Sequence, residues 1–269
     1  MQKFSWPAFA GLCFLLNAAF AHTAPDPAAF SREEALAYSQ AAIGKTPAGV
    51  TLTAPDGRQV ALEDFRGKPL VISLIFTSCH HICPSTTVYL QQAVKKARSA
   101  LDEDSFQVIT VGFDSARDTP ERMAEFGRVN GVTDPHWQFL SGDAAAIDSL
   151  VSQLGFIYTP TAGGFDHLIQ SSIIDADGKV YRQVYGITFP TPQLIEPLKD
   201  LVFGEPREQS SLSYLGNRIR LFCTVYDPAT DNYYIDISVF IGTFVGIASS
   251  LVLGWVLVRE WRKSIRAGQ

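Results

Sequence analysis

Phe76-Thr77-Ser78-Cys79-His80-His81-Ile82-Cys83-Pro84 is the stretch whose reading decides the fold. It closes the apolar run Leu70 to Phe76 and holds two of the four cysteines in 269 residues, four positions apart. The apolar run predicts a buried strand of the parallel-sheet kind. Pro84 fits the first turn of a following helix, where its missing N–H leaves no hydrogen bond unmade. Both thiols then lie near a helix N-terminus, where unsatisfied N–H groups carry partial positive charge and favour thiolate over thiol. Taken alone, the spacing leaves four readings open: a redox dithiol, a soft-metal site, a structural disulfide and a pair of buried small hydrophobes.

Outward from this loop the pattern alternates. Upstream, Ser31 with Glu34 three residues later opens a short helix, and Thr51 to Leu62 turns at Pro55-Asp56-Gly57 as a hairpin. Downstream come a helix from about Pro84 to Ala100, a buried strand from Phe106 to Phe113 and a helix from Pro120 to Val129. A short strand at Trp137 to Leu140, a helix from Ala144 to Leu154, a hairpin from Leu168 to Tyr185 and a helix from Pro192 to Phe203 complete the series. Strands alternating with helices in this order indicate an α/β domain with a mixed sheet and flanking helices.

The ends have a different composition. Lys3 precedes the apolar segment Phe9 to Phe20, and Ala19-Phe20-Ala21 has the small-x-small form of a cleavage site, so residues 1–21 read as a signal peptide that includes Cys13. Residues 22–50 hold the leading helix and a linker, 51–203 the α/β domain, and 204–234 a polar juxtamembrane connector. Residues 235–258 read as one C-terminal transmembrane helix, since the uncharged run Ile237 to Val258 is long enough to cross a bilayer. Arg259-Glu260-Trp261-Arg262-Lys263 then marks residues 259–269 as a cytoplasmic tail. In a bacterium this topology is single-pass in the inner membrane, with the main domain in the periplasm, an oxidising compartment. Cys223, in the connector, is left over once Cys13 is removed; it reads as a free thiol, an intermolecular partner, a resolving thiol or a buried side chain. A formal net charge of −5 gives no electrostatic case for nucleic acid.

Four separate segments stand in a telling order: Asp64-Phe65-Arg66-Gly67-Lys68-Pro69-Leu70-Val71, then Phe76-Thr77-Ser78-Cys79 through Cys83-Pro84, then Phe113-Asp114-Ser115-Ala116-Arg117-Asp118-Thr119-Pro120, then Asp166-His167 ahead of the Ile173 to Tyr181 hairpin. Over about Leu52 to Phe203 the chain resembles the Sco/SenC family of copper-handling, thioredoxin-fold proteins. The second segment matches that family's F-T-x-C-x-x-x-C-P signature, and the third is similar to its D-P-x-x-D-T segment. Two departures stand out. His80 occupies the place where the family usually has proline, and the family's N-terminal membrane anchor is replaced by a signal peptide and a C-terminal helix.

The resemblance implies a thioredoxin-like mixed sheet, a copper ion held by Cys79, Cys83 and His167, and a role in assembling the copper centre of cytochrome c oxidase, whose copper-site subunit is the implied partner. The chemistry agrees. Copper(I) is soft and takes thiolates and imidazole in low-coordinate sites, so two cysteines and one histidine form a complete ligand set, whereas zinc normally wants a fourth ligand. Asp166 is expected to face away from His167, because neighbours on a strand point to opposite faces. His80 and His81 either help capture metal or are solvated. A second reading, from a different class, is a thiol-disulfide oxidoreductase that uses the same two cysteines on a client. A peroxidase is a third, weakened because Thr77 precedes Cys79 by two positions where that chemistry needs three.

Overall fold

The computed structural model describes residues 31–204, 224–227, 232–235 and 238–267. Cys13 and the expected signal segment, most of the connector and Cys223 lie outside these residues.

The chain opens with helix α1 (Arg32–Gln40), capped by Ser31, whose hydroxyl accepts from the Glu34 N–H. A small hairpin of β1 (Thr51–Thr53) and β2 (Gln59–Ala61) follows, and a single 3₁₀ turn (Leu62–Phe65) leads into β3 (Leu70–Ile75). Then come α2 (Ile82–Leu101), β4 (Gln107–Gly112), α3 (Pro120–Val129), β5 (Trp137–Leu140) and α4 (Ala144–Gln153). Two hairpins, β6 (Tyr158–Thr161) with β7 (Gly164–His167) and β8 (Gln170–Ile174) with β9 (Val180–Tyr185), precede α5 (Pro192–Gly204). Beyond it lie the antiparallel pair β10 (Thr224–Asp227) and β11 (Asn232–Ile235) and the long helix α6 (Ser238–Ala267).

Five strands form one mixed sheet in the order β5-β4-β3-β8-β9, with β3, β4 and β5 parallel and β8 and β9 antiparallel. β3 is central, and all six of its residues are buried. That is why its sequence is apolar without alternation: a strand covered on both faces has no solvent side to mark. The helices start where their sequences provide caps. Thr119 accepts from the Arg122 N–H with Pro120 at the first helical position, and Asp143 accepts from the Ala146 N–H at 2.8 Å. α2 packs on α5, and α3 on β5.

The leading segment is stitched to this body. Gly44 N–H bonds the Val180 carbonyl, Val180 N–H returns to Lys45, and the Gln153 side chain bonds both backbone groups of Ala48. Gly155, just past α4, has φ +66, and a Cβ there would lie 2.6 Å from the Tyr38 carbonyl oxygen and 2.9 Å from the Ala42 Cβ. Only glycine satisfies both the left-handed backbone and the close approach of α1.

α6 is 30 residues long, and Ile241–Arg259 has mean hydropathy 2.1. Phe244, Leu251 and Trp255 are exposed along it. A helix apolar on every side and long enough to span the hydrocarbon core fits membrane anchoring.

Gly155→Ala is expected to destabilise the full chain in detergent by about 2–3 kcal/mol, the combined cost of a strained φ and overpacking. The shift in urea midpoint measures it, and a wild-type midpoint would contradict the packing of α1 described above.

Candidate metal centre

β3 ends at Ile75, and the chain turns through Phe76 to His81 into α2. The helix starts at Ile82, two residues before Pro84, so Cys83 is its second residue and Pro84 its third, still within the first turn where no N–H is missed. His81 holds the cap position but makes no side-chain capping bond. Cys79 does that work instead: its Sγ accepts from the Cys83 N–H at 3.3 Å, while its own N–H bonds the Phe76 carbonyl at 3.1 Å. Sulfur thus caps the helix.

The two thiols differ sharply in environment. Desolvation works against a charged Cys79, yet N–H groups of Cys83, His81 and Ile82, together with the Cys83 thiol, outweigh it and hold Cys79 below the ordinary thiol range. Cys83 is 3% exposed, and burial pushes its thiol well above that range, with the Cys79 and Asp118 charges adding to the effect and a Phe76 backbone bond opposing it. Both are free cysteines.

The loop is held from below by Asp118. Its Oδ1 accepts from the Thr77 N–H at 2.8 Å and the Thr77 hydroxyl at 2.7 Å, and its Oδ2 from the Asp114 N–H at 2.9 Å. The carboxylate is 1% exposed, and burial lifts its pKa from the ordinary value against these donors. Gly112, at the end of β4, makes room for it: a Cβ there would lie 2.4 Å from the Asp118 Cβ. Because the Thr77 hydroxyl gives its hydrogen to Asp118, it has none to offer a peroxide at Cys79.

His167 arrives on β7, in a hairpin that the sequence reading did not anticipate, since it began its hairpin at Leu168. The signal was there, in Phe156, Tyr158 and Phe165 clustered around Gly163-Gly164. These rings and two from just beyond the ends of β3 and β4 form a box: His167 lies 5.3 Å from Phe156, 5.4 Å from Phe113 and 6.1 Å from Phe76, centroid to centroid. Gly164 sits so close to Phe76 that a Cβ would lie 2.9 Å from its ring. Burial in this box holds the imidazole pKa below its ordinary value, so it is neutral at neutral pH. Its Nδ1 is 2.9 Å from the Leu168 carbonyl oxygen. A carbonyl only accepts, so Nδ1 carries the hydrogen and Nε2 keeps a lone pair, the arrangement a metal ligand needs. Asp166 is exposed and makes no bond to His167 among the described residues, as strand alternation requires.

The structure therefore brings Cys79 and Cys83 together, and Phe76 is the residue that meets both parts of the set: its backbone bonds the two cysteines and its ring lies 6.1 Å from that of His167. Among the described residues no group of three or more His, Cys, Asp or Glu side chains stands ready-gathered around a metal position. His80 and His81 are exposed. Asp118 and Phe76 are the site residues that the sequence reading left without a role; the former stands in the quoted Asp114-to-Pro120 segment, and its spacing from Thr77 gave no sign of contact.

A mixed sheet whose central strand runs into a dithiol at a helix start defines a thioredoxin-like protein with its two thiols at that junction. The family model described as SCO1/SenC matches residues 44–202, and the chain belongs to the SCO1/SenC family. It is 26% identical over 149 residues to the SCO1 protein homolog of Bacillus subtilis (strain 168), covering 54% of this chain and 76% of that one. Among solved structures, a protein of Aquifex aeolicus VF5 superposes with TM-score 0.56 at 23% identity, covering 63% of this chain and 99% of that chain. Yeast Sco1 with copper bound superposes with TM-score 0.50 at 20% identity, covering 63% and 98%. These last two likenesses establish the shared fold.

Alkylation should separate the thiols. Iodoacetamide is expected to modify Cys79 with a pH midpoint below that of a free thiol, rising with pH as thiolate forms, while Cys83 reacts only on unfolding. Peptide mass mapping reads both, and early labelling of Cys83 would overturn the asymmetry.

Proposed function

We propose that this protein is a membrane-tethered copper chaperone that takes copper(I) through Cys79, Cys83 and Nε2 of His167 and passes it to the cysteine-bearing copper-site subunit of a cytochrome c oxidase. The observation that carries the reading is the donor set: the Cys79 sulfur bonded to the backbone N–H of Cys83, and a neutral imidazole at His167, packed on the Phe76 ring, whose free nitrogen is Nε2. Two thiolates and an imidazole suit copper(I) in both softness and number. Membership of the family, and relatives solved with copper, support copper as the cargo.

The chain's own residues have distinct roles. Cys79, the more exposed sulfur and the one whose pKa is lowered, meets the ion first. Cys83 must lose its proton to bind, so uptake releases a proton and affinity rises with pH. His167 completes the site without adding charge. Asp118 holds Thr77 and with it the loop, without touching the ion. On this reading residues 1–21 are a signal peptide, 235–258 the transmembrane span and 259–269 a cytoplasmic tail, and the domain works in the periplasm, facing membrane-embedded partners.

One observation favours a second reading. A half-exposed thiol with a lowered pKa beside a buried one is the asymmetry of a thiol-disulfide oxidoreductase. In that reaction Cys79 attacks one sulfur of a client disulfide and the other leaves as thiolate. Cys83 then gives up its proton and attacks Cys79, which frees the second client sulfur. The client disulfide is reduced by two electrons, and the dithiol is oxidised.

Competition with a copper(I) chelator distinguishes them. Cys79→Ser and Cys83→Ser should each abolish tight binding, and oxidation to the Cys79–Cys83 disulfide should do the same. His167→Ala should weaken binding by less and disturb copper(II) spectra strongly, and His80→Ala and His81→Ala should have small effects. Full affinity in the double serine variant would end the chaperone reading; absent binding in the wild type, with client disulfides still reduced, would install the oxidoreductase.

A further inference from the structure

The dithiol loop and α3 enclose an open groove of about 710 Å3. Cys79 lies on its wall, only partly buried, while Cys83 is 3% exposed. A partner's sulfur therefore meets Cys79 first, and the groove is the space beside it.

The walls have a defined chemistry. Pro84, Phe126 and Val129 form the apolar part, with Val129 67% exposed. Glu125 is committed, since both of its oxygens accept from Arg128, at 2.8 and 2.6 Å. Arg122 makes no ion pair among the described residues. The groove thus offers a free guanidinium, beside apolar surface, next to the accessible thiol.

We propose that this groove docks an extended segment of a partner protein that carries a cysteine with a carboxylate side chain near it, Arg122 taking the carboxylate and an apolar neighbour resting on Phe126 and Val129. The inference rests on the reading above, that Cys79 deals with a cysteine-bearing partner, and adds how the partner is chosen. A guanidinium fork binds a carboxylate in two parallel hydrogen bonds, which orients the segment as well as attracting it. The volume falls in the range of clefts that hold a drug-sized molecule, which is the size of a few side chains. The chain's net charge of −5 repels acidic segments in general, so any preference for them has to arise locally.

The test uses the full chain in uncharged detergent, carrying Cys83→Ser so that a mixed disulfide at Cys79 persists. Two short peptides are compared, each with one cysteine activated as a thiopyridyl disulfide, flanked in one by aspartate and in the other by lysine. The Cys79 thiolate attacks the peptide sulfur and releases thiopyridone, which is read by absorbance. A Cys79→Ser chain measured in parallel removes the background from Cys13 and Cys223. The aspartate peptide should react roughly fivefold faster at low salt, and the advantage should shrink as salt is added. Arg122→Glu should reverse the order of the two peptides while leaving copper(I) affinity of the otherwise wild-type chain unchanged, and Val129→Glu should slow the aspartate peptide. Equal rates for the two peptides, or an order unaffected by Arg122→Glu, would overturn the docking proposal. Loss of copper binding in the wild type is a separate outcome: it removes the chaperone reading, and the peptide ratio still decides the groove.

Discussion

A buried carboxylate holds this site together. Asp118 accepts three hydrogen bonds, two from Thr77 and one from the Asp114 N–H, and so ties the turn after β3 to the turn after β4. Hydrogen bonds to a charged group contribute about 1.5–3 kcal/mol each, and an orphaned buried donor costs as much. The loop bearing Cys79 is therefore set by a neighbouring strand end, and the neighbouring strand makes room for it with Gly112. Charge is the other half of the constraint. A carboxylate beneath the loop disfavours a second thiolate at Cys83, and so sharpens the difference between the two cysteines.

That difference links structure to function. Helix N–H groups converge on Cys79, while Cys83 is turned into the core, and a single helix turn thereby makes one sulfur ready and the other reluctant. A ready outer sulfur receives; a protonated inner one waits. The same pair of properties suits both proposed roles, copper capture and thiol exchange, which explains why both readings start from the same atoms. The imidazole favours metal, because a neutral ring with Nδ1 tied to a carbonyl has one use for Nε2 that disulfide exchange does not require.

The aromatic box around His167 does two jobs. It lowers the imidazole pKa by excluding water, and it couples the β6–β7 hairpin to the sheet through Phe76 and Phe113. Edge-on rings at these separations add to the stability of simple burial. Gly164 lets the hairpin lie on Phe76, so the position of His167 depends on a residue that has no side chain.

The local pattern of the sequence determined most of the element series, though not the β6–β7 hairpin, together with the cap at Ser31, the helix start next to both thiols and the apolar run within α6, because each of these depends on neighbours within a few residues. The apolar, unalternating run of β3 even announced a strand covered on both faces. The C-x-x-x-C spacing left open which sulfur would be buried, and the quoted Asp166-His167 pair did not say what would enclose the imidazole. Tertiary structure decided both. Asp118 lies 41 residues from Thr77, and Phe76, Phe113 and Phe156 meet His167 from three separate parts of the chain. Burial and hydrogen bonding between such distant segments set pKa values and tautomers, and no periodicity in the sequence records them.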